Sequence, residues 1–84
     1  MSFFIKSTYN DQYTILNNRF IADHMIPANG NYVKVFLLLQ MASQNKDALP
    51  DLSVGALADL LECTENDILR ALRYWDKHGL ISLE

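Results

Sequence analysis

Hydrophobic spacing is most regular toward the C-terminal end of the chain. In residues 52–84, Val54, Leu57, Ala58 and Leu61 fall at helical spacing, and Ser53 stands where an N-cap belongs. Glu62 and Cys63 break that pattern. Thr64 then opens a second helix, with Asp67 three residues later in the capping-box position. Ile68, Ala71, Leu72 and Trp75 make its apolar stripe, while Arg70, Arg73 and Lys77 fall on another side. Gly79 occupies the place of a C′ glycine, and Leu80-Ile81-Ser82-Leu83 reads as a strand.

Upstream the pattern is less regular. Phe3-Phe4-Ile5 is a short apolar run, and Tyr13-Thr14-Ile15-Leu16 has the β-branched and aromatic character of a strand. The first run either pairs with the second or reaches beyond its own domain, because three large apolar side chains at a terminus need burial. Asn17 or Asn18 caps a short helix carrying Phe20, Ile21 and Met25 inward. That helix is expected to end before Pro27, which pushes Ile26 into extended geometry. Ala28-Asn29-Gly30-Asn31 is turn chemistry. Residues 32–42, YVKVFLLLQMA, are interrupted only by Lys34 and Gln40, so the helix they form needs cover on almost every side. Residues 43–51 read as a polar loop, and Leu52-Ser53 as a short strand pairing with 80–83.

Helix, short turn, helix, glycine and strand together predict a mainly α fold with a small β-sheet. The expected form is a winged helix-turn-helix of about four helices plus short strands. It spans 1–84 as one domain, with 1–12 as an N-terminal arm or strand, and stops where a wing hairpin needs its return strand.

Composition narrows the classes. Half of the 84 residues are hydrophobic and a fifth are charged, which suits one globular domain with a modest core. The formal net charge of -3 argues against autonomous DNA binding, whose affinity rests on neutralised phosphates. Met1 leads into phenylalanines rather than a basic region and a long apolar run, so no secretory signal is read. No segment has the length to span a bilayer. The single cysteine makes no internal disulfide, and the chain is expected in the cytoplasm.

Candidate chemistry is sparse. Arg70, Arg73, Tyr74 and Lys77 form the one face suggestive of DNA or a partner. Its plain alternative is a solvated face with intrahelical pairs, Asp67 with Arg70 and Arg73 with Asp76. Glu65 and Asp67 at the helix start favour the helix dipole and would repel DNA. Trp75 reads as core, Tyr74 as a surface aromatic and Cys63 as a buried structural thiol. His24 and His78 stand alone, without metal-ligand spacing. No carboxylate pair, phosphate loop or nucleophile elbow is found. No catalytic residue, cofactor or metal is expected, and the chain does not read as an enzyme.

Three pieces together carry a resemblance. They are Asn18-Arg19-Phe20-Ile21, the Ala28-Asn29-Gly30 turn leading into Tyr32-Val33-Lys34-Val35, and Ala71-Leu72-x-Tyr74-Trp75-x-x-x-Gly79-Leu80. Over residues 13–83 the chain resembles the N-terminal domain of DnaD-like proteins, replication-initiation and primosome components of low-GC Gram-positive bacteria and their phages. The resemblance implies a winged-helix domain that self-associates and contacts other initiation proteins. It also implies that most DNA binding belongs to a separate C-terminal helical domain outside these residues, the chain being a fragment or a trimmed relative. Phe3, Phe4, Ile5, Tyr32 and Phe36 are the expected oligomerisation residues. The alternative is a winged-helix transcription regulator reading DNA with the helix over 64–78.

Overall fold

A computed structural model describes residue 2, residues 13–45 and residues 52–83. Four helical elements follow in order: a π-helical segment Phe20–Met25, then α1 (Gly30–Gln44), α2 (Val54–Leu61) and α3 (Glu65–Lys77). Among the described residues there is no strand and no sheet, which overturns the expected wing.

The physical reason lies in what the two candidate strands bond to. Around Ile15, the Gln44 side-chain amide takes both main-chain groups: Ile15 N–H donates to Oε1 and Nε2 donates to the Ile15 carbonyl, each at 2.7 Å. A side chain thus fills the place of a partner strand. At the other end, Gly79 adopts φ +77° and turns the chain back, so that Leu80 and Ile81 pack on the Phe20–Phe36–Trp75 cluster. Leu80 and Ile81 bend over the core, and Ser82 and Leu83 follow as exposed irregular chain instead of an edge strand. The Leu52-Ser53 strand is likewise absent: Ser53 has extended angles, but residues 80–83 offer it no strand to pair with, and its side chain caps α2.

Helix ends follow local chemistry closely. Asn29 caps α1 by accepting the Asn31 N–H at 2.8 Å, so α1 starts at Gly30, inside the expected turn. Ser53 caps α2 through the Ala56 N–H at 3.0 Å. Thr64 and Asp67 form a complete capping box on α3: the Thr64 hydroxyl accepts the Asp67 N–H and the Asp67 carboxylate accepts the Thr64 N–H, both at 3.1 Å. Both α2 and α3 end in Schellman motifs. Past α2, Cys63 N–H donates to the Ala58 carbonyl and Glu62 N–H to Asp59, with Glu62 left-handed at φ 54°. Past α3, Leu80 N–H donates to Trp75 and Gly79 N–H to Asp76.

One expectation fails before Pro27. Ile26 has helical angles, φ -57° and ψ -47°, and not extended ones. The π-helical turns run straight into a tight turn closed by the Ala28 N–H on the Met25 carbonyl, and Pro27 brings no N–H that needs a partner. In the turn leading into this segment, Asn17 Oδ1 accepts the Arg19 N–H at 2.7 Å and the Asn17 carbonyl accepts the Ile21 N–H, while Arg19 at the segment's own N-cap makes no side-chain cap bond. Phe20 is buried and Met25 partly buried, but Ile21 faces outward.

Two clusters make the core. Val35 of α1, Leu57 and Ala58 of α2, and Ile68 and Ala71 of α3 form one. Phe20, Phe36 and Trp75 form the other, with rings 4.1–5.5 Å apart. Trp75 is fully buried, and its indole N–H donates to the Tyr32 carbonyl at 2.7 Å, joining α3 to the first turn of α1. The apolar helix α1 is thereby covered on most sides by this chain's own elements, Leu37 being the large apolar residue it leaves outside.

Candidate functional site

On α3, Arg70, Arg73 and Lys77 are exposed and, three and four residues apart, lie along one side of the helix. The intrahelical pairs weighed as their plain explanation do not form. Among the described residues the one ion pair is Arg19 with Asp23, at 3.7 Å. The Asp67 carboxylate is engaged by its cap instead. The Thr64 backbone N–H holds its pKa below the ordinary carboxylate value, helped by the Thr64 hydroxyl, opposed by desolvation, and helped least by the charge of Arg70. Glu65 and Asp67 place acidic side chains in the first turn of α3, the end that meets bases in a DNA-reading helix.

Tyr74 is less exposed than the three cations. Half-buried, its ring packs against Tyr32 at 5.1 Å, edge-on to Trp75 at 4.8 Å and beside His78 at 4.3 Å. Of the residues expected to mediate self-association, Phe3, Phe4 and Ile5 lie outside the described residues. Phe36 is 5% exposed in the aromatic cluster, and Tyr32 is half-buried with its carbonyl held by Trp75. Cys63 is half-buried against the first cluster, and His24 stacks on Phe20 at 6.5 Å. Among the described residues no three His, Cys, Asp or Glu side chains gather as a metal site.

Sequence reasoning missed a small cavity of about 170 Å³ beside the aromatic cluster. Leu16, Phe20, Phe36 and Leu80 supply its apolar walls, and Asn17, Arg19, His24 and Gln40 the polar part. It forms where the chain before the π-helical segment, that segment, α1 and the residues after α3 converge. No window of the sequence contains it; the signal was only Asn18-Arg19-Phe20-Ile21, read as part of a resemblance. Around the molecule, large apolar side chains are left in solvent: Ile15, Ile21, Ile26, Leu37, Leu60 and Leu69 among them. Leu60, on the last turn of α2, is 57% exposed.

Comparison with family models, with curated proteins and with solved structures gives no match to this chain. Among the described residues no helix is long and apolar enough to cross a membrane.

Proposed function

We propose that this chain is an assembly module of the DnaD-like kind, acting in replication initiation by self-association and by contact with other initiation proteins. The observation that carries the reading is the set of large apolar side chains left in solvent after the core is complete, together with a largely apolar cavity beside the aromatic cluster. Scattered exposed apolar residues are ordinary, but a helix end that presents a leucine next to carboxylates suits a protein partner better than a phosphate backbone. The net charge of -3 and the acidic first turn of α3 point the same way. The resemblance over residues 13–83 supplies the replication context, and the lone cysteine suits the cytoplasm.

A second reading is favoured by one observation: Arg70, Arg73 and Lys77 are exposed and make no ion pair with a described residue. On that reading α3 reads DNA as part of a transcription regulator. Fluorescence anisotropy with mixed-sequence duplexes separates the two. The assembly reading expects weak, salt-sensitive binding without sequence preference near physiological salt. Sub-micromolar, sequence-selective affinity would replace it with the regulator.

A further inference from the structure

Residues at the start of the π-helical segment and residues at the end of α2 have complementary chemistry on parts of the chain well separated in sequence. The cavity takes less than the roughly 300–1,000 Å³ of sites for drug-sized ligands, but its 170 Å³ suits one branched aliphatic side chain. Its polar lining comprises a guanidinium, an imidazole and two carboxamides, with no carboxylate. Arg19 is 84% exposed, and its contact with Asp23 runs through Nε at 3.7 Å, which leaves the terminal guanidinium nitrogens open. An acidic chain thus rims its apolar cavity with its own scarce positive charge.

The matching element is Leu60. Of the large apolar side chains exposed among the described residues, it is the one with a carboxylate close on each side in sequence, Asp59 before and Glu62 after. Both acids are exposed. Glu62 is held left-handed by the Schellman turn, which fixes how the chain leaves α2 behind the leucine. Leu57, Ala58 and Leu61 carry the inward side of α2, so Leu60 is free to project.

We infer that Leu60 of one copy enters the Phe20–Phe36–Leu80 cavity of a second copy, with Asp59 and Glu62 facing Arg19. Knob and cavity are built from different residues, so the contact joins unlike patches, and repeated head-to-tail it leaves each copy one free knob and one free cavity for the next. The inference rests on the self-association reading and gives it a surface. Apolar burial supplies the attraction, and the charges choose the partner surface and its orientation.

The test is sedimentation velocity on the full chain and on surface variants, each checked for unchanged helicity. Leu60→Asp and Arg19→Glu each weaken association by about tenfold or more, the effect of losing one buried leucine or of setting like charges face to face. Asp59→Arg combined with Arg19→Glu restores association, which a purely structural role for either residue does not explain. Mixing the Leu60→Asp chain with the Arg19→Glu chain gives one-to-one pairs and nothing larger, because only one contact remains possible between them. An intact chain that associates while both single variants associate equally well overturns the knob and cavity and leaves self-association standing. A chain that stays monomeric at hundreds of micromolar overturns both.

Discussion

The two Schellman turns differ in one atom group, and that difference can be measured. At the end of α2 the left-handed position is filled by Glu62, at φ 54°; at the end of α3 it is filled by Gly79, at φ 77°. An L side chain in the left-handed region costs roughly 1–2 kcal/mol, from crowding of Cβ against the following carbonyl. Replacing it by glycine returns that strain but gives the unfolded chain more freedom, worth roughly 0.5–1 kcal/mol in the opposite direction. The carboxylate at the C-terminal end of a helix also opposes the dipole, and its removal helps by a few tenths of a kcal/mol. Glu62→Gly is therefore expected to stabilise the fold by about 0.5–1 kcal/mol. Glu62→Ala separates the contributions, since it removes the charge and keeps the strain. At Gly79 the arithmetic reverses: no atom lies within 4 Å of an added Cβ, so Gly79→Ala costs conformational strain alone, about 0.5–1 kcal/mol net. Urea melts in dilute solution, below the range of self-association, measure all three. A Glu62→Gly chain no more stable than Glu62→Ala would refute the strain argument and imply that the α2–α3 turn is held by something other than its backbone bonds.

Two further outcomes follow from the same geometry. Asp67 has its folded pKa depressed by the Thr64 N–H, so its contribution to stability is complete above the unfolded carboxylate pKa and is lost as pH falls through the folded one. The stability gap between the natural chain and Asp67→Asn should accordingly shrink in acid melts and reach a plateau toward neutral pH; a gap independent of pH would mean the carboxylate charge does not matter to the cap. Trp75→Ala should cost about 3–5 kcal/mol, since the side chain is fully buried and links α3 to Tyr32, whereas exposed Arg73→Ala should stay within about 0.5 kcal/mol. Comparable losses in the two would mean that the outward face of α3 is misassigned.

Local signals were legible and pairing was not. Ser53, Thr64, Asp67 and Gly79 announce helix ends because each acts on backbone groups within a few residues of itself, and the α2 and α3 stripes report burial that one helix face decides. The strands at 13–16 and 80–83 depended on a partner the sequence does not specify. Gln44, 29 residues away from Ile15, took the bonds a neighbouring strand would have made. Ile26 shows the same limit at short range, since the pre-proline bias is small beside the helical turns leading into it. The basic residues of α3 are visible in the sequence as a face, whereas the aromatic packing that draws Tyr74 partly inward against Tyr32 and Trp75 is not. The cavity was invisible, being assembled from three separated stretches.

The α2–α3 unit has a consequence for how the chain could present a contact. Backbone bonds tie both sides of the junction: Ser53 closes one end of α2, the Glu62 turn the other, and the Thr64–Asp67 box begins α3 at once. Side chains on the last turn of α2 therefore stand on a stiff mount, and Leu60 can be held out in water with little conformational entropy left to lose on docking. Its exposure costs the monomer the hydrophobic free energy of one leucine, roughly 1.5–3 kcal/mol if fully buried elsewhere. Stiffness at the knob and apolar walls at the cavity are the two conditions under which so small a contact can matter. A single such contact is weak, so repetition from copy to copy, rather than strength at one interface, is what would make this chain an assembly module.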